Sequence, residues 1–179
     1  MSGSRKSNVV PPAGTRVGIL MGSDSDLPVM QKCLDILNSF AIPTVIHVMS
    51  AHRSPHAVAE FATEAEGRGI EVLICAAGAA AHLAGVVAAH TVLPVLGVPM
   101  PSKHLGGIDS LYSTVQMPAG IPVATFAIGE AGATNAGIFA AQVLSAKDEN
   151  LRKKVREYKE KLATGVAEKD NAMQAALKK

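Results

Sequence analysis

Short apolar runs alternate along this chain with longer segments whose apolar residues recur every three or four positions. The runs at 17–21, 44–49, 72–76, 95–98 and 123–128 are rich in Val, Ile and Leu and flanked by Gly or Pro, which predicts five strands. They are nearly continuous in apolar character, as strands covered on both faces are. Between them, Met30, Cys33, Leu34 and Leu37 mark one helical stripe, and Val58, Phe61, Ala62 and Ala65 mark a second. Further helices are predicted up to about His90, around 110–115 and in the Ala-rich stretch ending near Ser145. This alternation predicts one α/β domain with a parallel sheet between helical layers. A last amphipathic segment places Leu151, Val155, Tyr158 and Leu162 on one side. With both sheet faces already covered, its partner surface is expected on a neighbouring subunit. The chain divides accordingly into a flexible segment at 1–15, a catalytic α/β domain at 16–147 and a C-terminal helix and tail at 148–179.

Composition narrows the function classes. With 3 % aromatic residues and no Trp, the chain lacks the rings that stack on single-stranded nucleic acid. The net charge of +2 arises beyond residue 145, where Lys and Arg interleave with Glu, as Glu157 and Lys161 do. That is the pattern of a solvated helix face, so no nucleic-acid partner is expected. Cys33 and Cys75 have no CxxC spacing and no His/Cys set suited to zinc, so they are expected as free thiols of a reducing, cytoplasmic compartment, with no metal site. No apolar run reaches the length of a membrane span, and the first 15 residues lack the apolar core of a signal peptide.

Candidate chemistry sits in four loops at the carboxyl ends of predicted strands, the usual ligand edge of an open α/β sheet. The first is Gly22, Ser23, Asp24, Ser25, Asp26. Glycine permits close backbone approach and serine hydroxyls suit a phosphate, while Asp26 reads equally as a helix N-cap or as a partner for sugar hydroxyls. The second is Ser50, Ala51, His52, Arg53, Ser54, Pro55, with Ser54 as candidate N-cap and Pro55 at the first helical position. It puts an imidazole and a guanidinium beside a helix N-terminus that favours an anion. The third, 78–85, carries His82, which reads either as a capping or packing residue or as part of a pocket. The fourth, after Pro99, is a long polar loop with Ser102, Lys103, Gly106, Gly107, Asp109 and Ser110, of the length used for lids, binding loops or subunit contacts.

Several nucleotide folds are excluded by residue. There is no GxGxxG and no acid after the second strand, so no dinucleotide site, and no GxxxxGK[ST], so no P-loop. The third strand lacks the terminal Asp of a phosphorylated receiver domain, and aromatics to flank a flavin are scarce.

Six loop motifs taken together resemble the class I N5-carboxyaminoimidazole ribonucleotide mutases of purine biosynthesis, the phosphoribosylaminoimidazole carboxylase catalytic-subunit family. They are Gly22 to Asp26, Ser50 to Pro55, Ala80 to Leu83, Pro94 to Pro99, Asp109 to Leu111 with Val115 to Pro118, and Ala127 to Gly129 with Gly132 and Ala133. The resemblance spans about residues 16–145. It implies a flavodoxin-like three-layer α/β/α sandwich around a central parallel five-stranded sheet, assembled as a homo-octamer with active sites at subunit boundaries. It also implies migration of a carboxylate from the exocyclic nitrogen of an aminoimidazole ribonucleotide to ring carbon C4, without ATP, metal or cofactor. Functional coupling to the ATP-dependent synthetase that makes the substrate goes with it.

By the same resemblance His52 is the acid/base. Gly22, Ser23, Asp26 and Arg53, with Ser50 and Ala51 nearby, hold the ribose 5-phosphate, and Gly78, Ala79, Ala80, His82 and Leu83 line the pocket for base and carboxylate. The sequence departs from the family pattern at Ala76 and Ala79, which replace glycines, and at Ala84, which replaces proline. An alanine disfavours positive φ, so the wall around Ala79 is where activity is most open to change. A class II enzyme that carboxylates the decarboxylated ribonucleotide directly with CO2, and a non-catalytic nucleotide-binding protein, are the alternatives. The Ala80, Ala81, His82, Leu83 loop argues against the former.

Overall fold

Strand β1 (Val17–Met21) lies inside the sheet, every residue buried, and pairs in parallel with both β2 (Thr44–Val48) and β3 (Val72–Ala77). Strand β4 (Val95–Pro99) pairs with β3, and the short β5 (Ala124–Thr125) completes the order β2-β1-β3-β4-β5. The computed structural model describes residues 12–178. All pairings are parallel, and the order reverses between β1 and β3, which makes the carboxyl edge there the natural ligand crevice of a flavodoxin-like sheet.

Alternate strand residues face opposite layers. Val17, Ile19, Met21, Val72, Ile74 and Ala76 meet α1 (Leu27–Ser39) and α5 (Glu130–Ser145). Leu20, Leu73, Cys75 and Val95 meet α2 (Pro55–Glu64) and α3 (Leu83–Ala89). Each large side chain so buried contributes about 1.5–3 kcal/mol. Helix α5 approaches α1 closely because its inner face is Gly and Ala: a Cβ on Gly137 would stand 3.1 Å from the Cys33 carbonyl oxygen. Both cysteines are buried free thiols. Burial pushes the Cys33 thiol up to about 12 and raises that of Cys75 as well.

The fifth strand is shorter than the predicted 123–128. Phe126 N–H still donates to Gly97 C=O and Gly129 N–H to Pro99 C=O, both at 2.9 Å. Pro99, however, has no N–H with which to return the bond to this edge segment, so the regular ladder stops. Cys75 sits within β3 rather than at a strand end, because the strand continues to Ala77.

Helix α4 (Ile108–Val115) starts after Gly107, and α6 (Glu149–Leu177) is capped by Asp148, whose carboxylate accepts the Leu151 N–H at 3.0 Å and pairs with Arg16 at 3.1 Å. Leu151 and Val155 are buried in the chain's own core, and Tyr158 stacks at a tilt on Phe40 with 5.5 Å between rings. Leu162 and Val166, by contrast, are exposed. Of the N-terminal segment expected to be flexible, residues 1–11 lie outside those described. Thr15 is buried and donates its hydroxyl to Pro12 C=O at 2.7 Å. Among the described residues no helix is long and apolar enough to cross a membrane.

Candidate active site

The loops after β1, β2, β3 and β4 converge on one cleft of about 610 Å³ at the carboxyl edge of the sheet. Gly22, Ser23, Asp26, Ser50, Ala51, His52, Arg53, Gly78, Ala79, Ala80, His82 and Leu83 all line it. Ser25, Ser102 and Lys103, which the loops offered without an assigned role, line it as well, as do Ala77, Met100 and Pro101, which the sequence did not single out. The length of the loop after Pro99 was the available signal, but which of its residues turn inward depends on where β4 ends beside β3.

Each loop is braced by its own polar side chains. After β1, Ser23 Oγ accepts the Ser25 N–H at 3.3 Å while the Asp26 carboxylate accepts the Ser23 N–H at 3.3 Å, a reciprocal cap. Asp26 precedes α1 but makes no capping bond to it, so its role differs from the N-cap expected. Burial is the main cause that raises its pKa above the ordinary carboxylate value. After β2, Ser54 precedes Pro55 as anticipated, yet its hydroxyl turns back on the loop: it accepts the Ser50 N–H at 2.9 Å and lies 3.1 Å from Ser50 C=O. Ser50 Oγ in turn accepts the Arg53 N–H at 3.2 Å. These bonds hold His52 and Arg53 at the tip of a closed loop, facing out of the sheet edge.

Arg53 reaches across to β1, where one guanidinium nitrogen donates to Gly22 C=O at 2.8 Å. Among the described residues no other acceptor is seen on its guanidinium, which carries five N–H groups, so the rest can meet a ligand. His52 and His82 meet edge-on, ring centroids 5.1 Å apart, with His52 Nε2 and His82 Nδ1 at 2.9 Å. One of these two nitrogens must carry the proton that joins them. Both rings are exposed to the cleft, in the cavity shared with Ser23 and Arg53.

The opposite wall is made of small residues. Ala79 holds φ at 53°, in the left-handed region that favours glycine. Left-handed backbone costs an alanine about 1–2 kcal/mol, whereas glycine adds about 0.4–1 kcal/mol of unfolded-chain entropy. The difference predicts that Ala79→Gly stabilises the fold by roughly 0.5–1 kcal/mol. Equilibrium denaturant unfolding measures it, and a lower midpoint would show the strain is not there.

Among the described residues no group of His, Cys, Asp and Glu is arranged to hold a metal ion. The arrangement instead offers a cation and hydroxyls for an oxyanion, an imidazole pair able to pass a proton, and an apolar wall.

Comparison with known proteins places the chain in a family. Residues 16–165 match the AIR carboxylase family (AIRC). An N5-carboxyaminoimidazole ribonucleotide mutase of Thermotoga maritima is 55 % identical over 154 residues, 86 % of this chain and 89 % of that protein. Mutases of the same name from Vibrio vulnificus and Bacillus subtilis are each 52 % identical, covering 87 % and 88 % of this chain and 97 % of their own lengths. The crystal structure of Treponema denticola PurE superposes with a TM-score of 0.79 at 31 % identity, over 87 % of this chain and 96 % of that one. This chain belongs to the AIR carboxylase family.

Proposed function

We propose that the protein is an N5-carboxyaminoimidazole ribonucleotide mutase, carrying the substrate carboxylate from the exocyclic nitrogen to ring carbon C4. The observation that carries this reading is the placement of His52, Arg53, Ser23 and the small-residue wall in one cleft, in a chain more than half identical to mutases of that name. Ser23, Ser50 and the free N–H groups of Arg53 bind the 5-phosphate. Asp26 takes ribose hydroxyls, because a carboxylate repels a phosphate at close range. The aminoimidazole lies between His52 and the wall from Gly78 to Leu83.

The chemistry follows from where protons must go. The carbamate N–C bond breaks with its electron pair left on nitrogen, which takes a proton from His52, and CO2 is freed. C4, an enamine carbon, then donates its pair to CO2, and the proton on C4 returns to His52 as the ring regains aromaticity. Imidazole is the side chain suited to serve both as acid and as base at neutral pH. His52 enters with both ring nitrogens protonated, gives its Nδ1–H to the departing nitrogen and keeps its Nε2–H on His82 Nδ1, so the bared Nδ1 is the base that takes the C4 proton. No charge transfer to a metal is required at either step.

Arg53→Ala removes a charge-assisted phosphate contact worth about 1.5–3 kcal/mol, so KM rises on the order of 10- to 150-fold with kcat little changed. Steady-state kinetics over a wide substrate range tests this, and an unchanged KM would remove Arg53 from the phosphate site. The activity itself is tested with purified protein in two assays, the N5-carboxylated substrate alone and the decarboxylated ribonucleotide with bicarbonate. Efficient C4-carboxylated product in the first only supports the mutase; product in the second only is the direct carboxylase; product in neither leaves a binding protein.

A homo-octamer with sites at subunit boundaries accompanies this reading. The exposed Leu162 and Val166 on the outer turns of α6 then bury against a neighbour. Two free thiols suit a reducing cytoplasm. Because a carbamate substrate loses CO2 in water, a functional link to the enzyme that makes it is advantageous.

A further inference from the structure

Helix α4 stands behind the small-residue wall and grips it at one residue. Ala79 N–H donates to Ser110 Oγ at 2.9 Å, and Ser110 is wholly buried. One turn on, the Ser113 hydroxyl donates to Asp109 C=O at 2.8 Å and lies 3.3 Å from Ala79 C=O, so both polar ends of residue 79 face this helix. The start of α4 is itself pinned to the loop that leads into it from β4. Ser102 Oγ donates to the Asp109 carboxylate at 2.7 Å and accepts the Gly107 N–H at 3.0 Å, and that hydroxyl is the main cause holding Asp109 below its ordinary pKa. Ser102 lines the cleft. One short helix thus braces two walls of the same cavity.

We propose that Ser110 is a positioning residue for carboxylate migration: by holding Ala79 in the left-handed conformation, it keeps the wall beside His82 closed on CO2 between its release and its recapture by C4. This rests on the mutase reading. Free CO2 is small and uncharged, so no ion pair can retain it, and containment depends on the continuity of the wall. A glycine at 79 would reach this backbone at no steric cost, whereas an alanine needs a brace. Ser110 touches none of the reacting atoms and acts only through Ala79.

The test uses full-length protein and unlabelled N5-carboxylated substrate in isotopically labelled bicarbonate, with carbonic anhydrase present to equilibrate escaped CO2. Label in the C4-carboxylated product reports gas that left the cleft and was replaced from solution. Ser110→Ala, which deletes one hydrogen bond, is expected to raise labelled product about 5- to 30-fold over wild type. In the Ala79→Gly background the same substitution is expected to have a much smaller effect, because glycine removes the need for the brace. If Ser110→Ala is too poorly folded for kinetics, Ser113→Ala reads the same quantity from the half-exposed side. Equal label in mutant and wild type, or an identical increase in both backgrounds, would overturn the positioning role. Absence of product from the wild-type chain would instead overturn the mutase reading beneath it.

Discussion

Asparagine in place of His52 lowers kcat by about 100- to 10,000-fold while KM stays within a few-fold, the effect of losing one positioned acid/base. Asparagine keeps a polar side chain at the tip of the loop braced by Ser50 and Ser54, so the grip of Arg53 and Ser23 on the phosphate persists. What disappears is the only group at that position able to give a proton to the departing nitrogen and take one from C4. Both half-reactions slow together, and label from bicarbonate should not increase, because CO2 is not released. Steady-state kinetics measures the split: a mutant that binds weakly yet turns over normally at saturation would show that His52 holds the substrate rather than moving its proton.

Gly132→Ala is expected to cost about 3 kcal/mol or more of folding stability, at the upper end for adding a single methyl group. The ideal Cβ at this position falls 1.7 Å from the Ala127 carbonyl oxygen and 2.7 Å from its carbon. Those atoms are backbone, so no rotamer change can relieve the clash. The segment after β5 must fold back against the first turn of α5, and movement there disturbs Ala133 and Ala136 in the main core. Denaturant unfolding would register the loss. A substitution that cost under about 1 kcal/mol would mean that the turn after Ala127 has room to open.

Much of this was legible in the linear chain. Apolar runs covered on both sides, with helical stripes between them, specify a parallel sheet in three layers, since residues such as Ile74 and Cys75 must face opposite helical layers and both be apolar. The candidate site was legible for a related reason: in such a sheet every strand-to-helix loop emerges on one edge, so Ser23, His52, Arg53 and His82 had to come near each other wherever the strands ended. The length of the last strand was not legible, because it depended on Pro99 of a different strand having no N–H to share.

By itself the sequence determined the topology, the family and the identity of the chemical groups at the sheet edge. Only the tertiary structure decided their pairing: that His52 meets His82 at 2.9 Å, that Arg53 is anchored on Gly22, and that Ala79 is held by Ser110 from a helix thirty-one positions away. Such contacts depend on crossing distances between strands and on where each loop turns. Local pattern carries the first kind of information because periodicity is set by neighbours in the chain, and it carries none of the second because those distances are set by the packing of whole layers.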